Sequence, residues 1–310
     1  MTVALLCSGQ GNQGPDMFDL VGNGPDVEAL FSRASRWFDG DPRAWVRTAG
    51  DHALRENRNA QLLCTLHALA AFARLAPSLP QRRCVAGYSV GEVAAWHVAG
   101  RIGAIDALDL IAARAAAMDA ASGADEGMLF VRGISRAVLD ELCSSRDAAI
   151  AIINPGDAYV LGGTNDALKA LAGDAQARGA KRVIPVPVRI ASHTRRLAAA
   201  VPVFRDELGR LSVSRARAGT RLFSGIDGAV VLNEGEGLDK LARQIAEPVN
   251  WAACLEACVE AGTTAFLELG PGRALSQMAM DAYPSIASRS IADFRSLDAV
   301  HAWLTRVGSD

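Results

Sequence analysis

The sequence predicts an α/β protein, a mostly parallel sheet covered by helices on both faces and interrupted by a small insert of different texture. Three observations carry this. Short apolar runs end in glycine-rich turns and lead into helical stretches, as at 2–14, 83–98 and 265–272, the strand–loop–helix alternation of parallel sheets. The middle of the chain instead places two strand-like runs back to back through a tight turn. And 310 residues, 50% hydrophobic and 21% charged, make a globular chain long enough for a large core and roughly two domains.

The elements follow in order. Residues 2–8 form a short apolar strand ending in Gly9-Gln10-Gly11-Asn12-Gln13-Gly14-Pro15, a tight turn. Leucines and alanines recur at helical spacing over 59–76. Residues 83–87 are a second apolar strand, 92–98 a helix, and 104–121 an alanine-rich helix. A strand is then expected at 128–132 and a helix capped by Ser135 to about 144. Strands at 148–153 and 159–162 join through Asn154-Pro155-Gly156-Asp157. Asn165 is expected to cap a helix to about 178, before a strand at 182–188. This β-α-β-β-α-β order is ferredoxin-like. The expected division is therefore a large α/β unit of 1–126 and 190–310, with 127–189 as a ferredoxin-like insert. Helices near 195–210, 237–246 and 251–261, strands near 221–225 and 265–269, and a final helical stretch complete the large unit.

Composition excludes several classes. Lys+Arg 32 against Asp+Glu 34 leaves a net charge of −2, so no global basic field argues for nucleic acid. The apolar start is too short for a signal-peptide core and lacks a basic leader. Arginines interrupt every run that approaches the ~18 apolar residues of a membrane span. The cysteines at 7, 64, 84, 143, 254 and 258 are scattered, which reads as reduced thiols in a cytoplasmic protein. Cys254 and Cys258 sit one helical turn apart with no histidine nearby, so no metal site is expected.

The chemistry concentrates at a few positions. Gly87-Tyr88-Ser89-Val90-Gly91 is a G-x-S-x-G sequence between an expected strand and helix. In that context it is a nucleophile elbow of the α/β-hydrolase kind, which projects the Ser89 hydroxyl and aims the Val90 N–H where an oxyanion forms. A glycine-lined turn with a capping serine is the bland alternative. Of five histidines, His193 in Ala191-Ser192-His193-Thr194 lies just past a strand and before a helix. That is the carboxyl edge of the sheet, where active sites of such folds lie. It is the candidate base, with helix capping as the alternative. No carboxylate stands out as its partner, but a backbone carbonyl can hold a neutral imidazole. Gly9-Gln10-Gly11 could supply a second oxyanion N–H, or be a plain strand-ending turn. It departs from the spacing of a dinucleotide fingerprint. Arg114 stands in an apolar helix, either on an exposed stripe, where Asp106 or Asp109 could pair with it, or as a buried cation.

Together these motifs resemble the malonyl-CoA:acyl carrier protein transacylase family over nearly the whole chain. Gly9-Gln10-Gly11-Asn12-Gln13 resembles G-Q-G-S-Q, and Gly87-Tyr88-Ser89-Val90-Gly91-Glu92 resembles G-H-S-L-G-E. Arg114 with Met118 matches R-x-x-x-M, and Asn154-Pro155-Gly156 falls at N-S-P-G. Ser192-His193 matches S-H, Pro248-Val249-Asn250-Trp251 matches P-V-x-W, and Glu268-Leu269-Gly270-Pro271-Gly272 matches E-x-G-P-G. The resemblance implies Ser89 as nucleophile, His193 as base and the Gln10 and Val90 N–H groups as oxyanion hole. It implies Arg114 as the clamp on the malonyl carboxylate and the carbonyl of residue 250, here Asn250, as partner of the histidine. It further implies no resident cofactor, an acyl-CoA donor, and the prosthetic thiol of an acyl carrier protein as acceptor. Tyr88 and Ser8 depart from the family's histidine and proline. The form G-Y-S-V-G-E-x-A-A-W resembles the epsilon subunit of bacterial malonate decarboxylase, which makes other decarboxylase subunits candidate partners; the fatty-acid-synthesis transacylase is the close alternative. Arg195-Arg196, just past His193, is expected at the rim of the site, where an acidic carrier would dock, or as a solvated helix start. An α/β-hydrolase esterase would need an acidic triad member and an H-G-G-G-type hole, neither visible. A non-catalytic scaffold would not need Ser89, His193 and Arg114 intact.

Overall fold

The computed structural model describes residues 2–307. Its strands, in chain order, are β1 (Val3–Cys7), β2 (Arg83–Gly87), β3 (Glu126–Arg132), β4 (Ala148–Asn154), β5 (Ala158–Thr164), β6 (Arg182–Val186), β7 (Thr220–Leu222), β8 (Val249–Asn250), β9 (Ala265–Glu268) and β10 (Ala287–Ser290). The first sheet is wholly parallel, in the order β10-β9-β1-β2-β7. Every residue of β1 is buried, as a central strand covered on both faces requires. That is why Val3–Cys7 reads as an unbroken apolar run rather than an alternating one.

The second sheet has the order β6-β3-β5-β4-β8. Its β3–β6 part is antiparallel, with the helices Arg136–Ser144 and Asn165–Ala177 in the connections. This is the ferredoxin-like arrangement, and it closes its own apolar cluster around Val131, Leu139, Leu161 and Leu171. Strand β8, from far along the chain, adds in parallel to β4 and stitches the two sheets together. Two caps differ from expectation. Thr164, not Asn165, takes the N-cap position and accepts from the Ala167 N–H. Ser135 occupies its N-cap position without a side-chain bond.

The remaining differences lie where sequence patterning is weak. Residues 28–55 fold into the short helices Glu28–Ala34, Pro42–Thr48 and Asp51–Arg55. The expected 195–210 helix is a 3-10 turn, Arg195–Leu197, followed by Ala200–Leu208. The final stretch contains the edge strand β10 between two helices. The helix Asn57–Leu75 is apolar on nearly all sides. Residues 57–78 are long and apolar enough to cross a membrane, but 78% of that span is buried inside the protein, so its hydrophobicity is spent on the core.

Pairing of β1 with β2 sets Cys7 opposite Gly87, so the turns leaving the two strands lie side by side. They touch without room for a side chain: a Cβ on Gly91 would stand 2.1 Å from the Cys7 carbonyl oxygen, and one on Gly87 2.3 Å from backbone of Gly91 and Glu92. Both glycines are steric requirements of the elbow. Gly91→Ala is expected to lower stability by about 1–3 kcal/mol or more, the usual cost of overpacking. Thermal melting beside wild type measures it, and an unchanged midpoint would show that the turns can separate.

Candidate active site

The carboxyl ends of β1 and β2 carry the first half of the site. Ser89 sits in the left-handed region at φ 55, between β2 and the helix Gly91–Val98. A non-glycine residue held there costs on the order of 1–3 kcal/mol and persists only where its surroundings enforce it. The turn after β1 packs on the elbow, since a Cβ on Gly9 would meet the Tyr88 ring at 2.8 Å. With Cys7 opposite Gly87, Gln10 and Val90 lie in the turns that leave the two neighbouring strands.

His193 is the second half. It too is left-handed, at φ 61, and its N–H donates to the Ile245 carbonyl at 2.9 Å. Its Nδ1 lies 2.5 Å from the Gln244 carbonyl and its Nε2 2.7 Å from Ser89 Oγ. A carbonyl only accepts, so Nδ1 carries the proton and Nε2 presents its lone pair to the serine hydroxyl. Burial, reinforced by the Arg114 charge and opposed by the bond to Gln244, holds the imidazole down at about 3.

The partner of His193 is thus Gln244, not Asn250, and the reason is local. Gln244 follows the helix Glu234–Arg243, where the last carbonyls have no intrahelical donor. Asn250 begins the helix Trp251–Glu260 as its N-cap, its side chain accepting from the Ala253 N–H at 3.2 Å. An N-cap carbonyl is already committed to the first helical bond.

Arg114 is buried, 1% exposed, which settles it against the exposed stripe. Asp109 pairs instead with Arg33 at 2.5 Å. The guanidinium is held by two amide oxygens, Gln61 Oε1 at 2.6 Å and Gln244 Oε1 at 3.0 Å. Its Nε meets no partner. Burial lowers it to about 10, against the pull of Glu92. Among the described residues no carboxylate is within ion-pair distance of it. A buried cation held only by neutral acceptors carries a desolvation cost that an ion pair would offset. Gln61, Gln244 and buried Glu92 were not singled out from the sequence. Gln61 is one of several polar residues in the Asn57–Leu75 helix, with Asn57, Arg58, Asn59, Thr65, His67 and Arg74, so nothing local marked it.

Other motif residues have structural duties. Ser8 Oγ donates to Glu268 Oε1 at 2.7 Å, and the Ser276 N–H to Glu268 Oε2 at 2.8 Å, so the E-x-G-P-G segment clips the first turn to β9. The Tyr88 ring packs edge-on against Trp251, and burial pushes its hydroxyl up to about 12, opposed by the Asn154 side chain. Arg196 is tied to Glu126 at 2.7 Å and to Asp147 at 2.5 Å, so only Arg195 of the basic pair stands exposed. Both line a groove of about 1050 Å³ that reaches His193. All six cysteines are free and buried. Among the described residues no cluster of three potential metal ligands occurs.

A serine hydroxyl against a neutral imidazole, at the carboxyl edge of a parallel sheet, defines a site of the serine acyl-transfer class. Residues 5–300 match the acyl transferase domain family, and the chain belongs to that family. It is 30% identical over 305 residues to the malonyl CoA-acyl carrier protein transacylase of Mycobacterium bovis, covering 96% of this chain and 98% of that protein. The crystal structure of MCAT from Mycobacterium tuberculosis superposes with a TM-score of 0.88 at 30% identity, covering 99% of each chain. The acyl-carrier-protein S-malonyltransferase of Burkholderia pseudomallei superposes with a TM-score of 0.89 at 28% identity, covering 97% of this chain and all of that one.

The imidazole environment has a direct test. His193 is expected to stay neutral in the folded protein well below pH 5, whereas an unfolded histidine protonates near 6.5. The unfolded chain then binds the extra proton, so the contribution of His193 to stability is present above about pH 6.5 and falls as the pH drops below it. An NMR titration of the ring resonances measures this, and a midpoint near 6.5 would contradict the burial and the Arg114 field.

Proposed function

We propose that the protein moves a malonyl group from malonyl-CoA, through an acyl-enzyme on Ser89, to the thiol of an acyl carrier protein. The observation that carries this reading is the juxtaposition of Arg114, buried without an acidic partner, with the Ser89–His193 pair. An acyl chain esterified at Ser89 that ends in a carboxylate supplies the missing anion, and a guanidinium meets it through a bidentate fork that lysine lacks.

The transfer is ping-pong. His193 Nε2 takes the Ser89 proton as Oγ attacks the thioester carbonyl, and the Gln10 and Val90 N–H groups hold the oxyanion. The intermediate collapses by breaking the carbon–sulfur bond, and the His193 proton goes to the departing CoA thiolate. The carrier thiol then gives its proton to His193, attacks the Ser89 ester and leaves as the malonyl thioester, and the proton returns to Ser89 Oγ. Arg114 acts twice. Its field depresses His193 in the empty site, and a bound carboxylate offsets that field, so the base strengthens when the right acyl group is present.

The large unit, 1–126 and 190–310, supplies the reacting groups, and the ferredoxin-like insert, 127–189, walls the site. No resident cofactor takes part. The cytoplasm is the compartment this reading implies, supported by six unpaired cysteines. For the acceptor we favour the carrier protein of a malonate decarboxylase, on the strength of Tyr88 and the G-Y-S-V-G-E-x-A-A-W elbow. Offering the loaded enzyme that carrier and one with ordinary phosphopantetheine decides between this and the fatty-acid-synthesis role.

Ser89→Ala is expected to abolish covalent malonylation by malonyl-CoA, read as loss of one malonyl mass increment; undiminished labelling would place the nucleophile elsewhere. Arg114→Ala should reduce kcat/KM for malonyl-CoA by roughly a hundred- to a few thousand-fold, since breaking a buried charge pair costs about 3–5 kcal/mol. Acetyl-CoA should hold or improve, because the unpaired charge is gone. Equal losses for the two donors would make Arg114 a structural residue and remove the warrant for malonyl.

A further inference from the structure

Glu92 is 1% exposed, and no step of the transfer uses it. It lies one residue into the helix Gly91–Val98. Its carboxyl group accepts from Gln244 Nε2, and burial pushes it up to about 7 against the opposing pull of the Gly225 N–H, Gln244 and Arg114. Gln244, fully buried, is thereby gripped on every polar atom of its side chain. Nε2 also reaches the Ser89 carbonyl at 3.3 Å, Oε1 accepts from Arg114 at 3.0 Å, and the main-chain oxygen takes His193 Nδ1–H.

The two ends of a carboxamide differ in kind: one only donates, the other only accepts. A carboxylate on one side decides which end faces which way. With Glu92 as acceptor, the amide N–H₂ must point toward it, and Oε1 must face Arg114. Flipped, the amide would set its oxygen against the carboxylate and its N–H₂ against a guanidinium that has only donors. Gln244 also stands between Glu92 and Arg114. Glu92 pulls on Arg114 electrostatically without contacting it, so the guanidinium is oriented but not neutralised.

We propose that Glu92 is a positioning residue for acyl selectivity, fixing the Gln244 amide so that Arg114 is held open toward an acyl carboxylate. This rests on the reading of Arg114 as the partner of the malonyl carboxylate. The glycine opposite belongs to the same device. A Cβ on Gly225 would stand 2.4 Å from Glu92 Oε2 and 3.0 Å from Gln244 Nε2, so alanine there displaces the pair while removing no polar group.

The test compares acylation of Ser89 by malonyl-CoA and by acetyl-CoA in wild type, Glu92→Gln, Gly225→Ala and Arg114→Ala, with melting curves to establish folding. A glutamine at 92 presents either amide end and no longer dictates the orientation of Gln244. Glu92→Gln is expected to lower kcat/KM for malonyl-CoA by about tenfold to a hundredfold, chiefly through KM. Acetyl-CoA should change by less than about threefold, since it makes no use of the guanidinium. Gly225→Ala should shift the malonyl-to-acetyl ratio in the same direction, and it decides the matter if Glu92→Gln does not fold. Equal losses for the two donors, or an unchanged ratio in the folded variants, overturns the proposal. If Arg114→Ala alone shifts the ratio, Arg114 keeps its role and Glu92 loses its own. If Arg114→Ala does not shift it, the reading of Arg114 fails and takes this proposal with it.

Discussion

The active-site geometry depends on one residue that performs no chemistry. Gln244 bonds the imidazole of His193 through its main chain and the guanidinium of Arg114 through its side chain. The histidine and the cation are therefore held by different atoms of one residue, the imidazole by its main chain and the guanidinium by its side chain. A shift in the segment that follows the helix Glu234–Arg243 would move both. The grip is strong because the carbonyl used for His193 is one that a helix terminus leaves without a donor. Helix termination, usually a problem of unsatisfied groups, becomes here the means of orienting a side chain.

The second constraint is steric. The elbow at Ser89 and the turn at Gly9 are pressed together by the parallel register of β1 and β2. Only glycine fits at 87 and 91. Strain is concentrated in the same place. Asp157, the other described non-glycine residue with positive φ, lies in a surface turn, whereas Ser89 and His193 are hydrogen-bonded to each other. Two left-handed residues bonded to each other need a surrounding frame that leaves them no alternative. The clip from Ser8 through Glu268 to Ser276, and the Tyr88 ring against Trp251, supply that frame on either side of the elbow.

Electrostatics then sort the groups by what surrounds them. Arg114 is held by two neutral amide oxygens, whereas Arg196 is paired with Glu126 and Asp147. Among the described residues only Arg196 of the two is in an ion pair. Burial of Arg114 and His193 lowers the affinity of each for its proton, and a negative charge placed beside them would raise both.

Much of this was legible in the sequence, because much of it is local. The strand–turn–helix around Ser89, the ferredoxin-like order of 127–189 and the position of His193 past a strand are short-range patterns of apolar periodicity and turn residues. The parallel sheet followed from the alternation of those units. What surrounds the reacting groups was not legible. Arg114 meets Gln61 across 53 residues and Gln244 across 130, and Gln244 meets Glu92 across 152. A glutamine carries no periodic signature and is as ordinary on a surface as in a site. Asn250, beside a recognisable Pro-Val-x-Trp, drew the histidine's partner to the wrong position for the same reason: the motif was visible, but which carbonyl a helix terminus leaves free is not. The sequence by itself determined the elements and the identity of the groups able to react. Only the tertiary structure decided which charges are paired, which amides face them and which carbonyl holds the base, because hydrogen-bond partners are set by how distant segments pack.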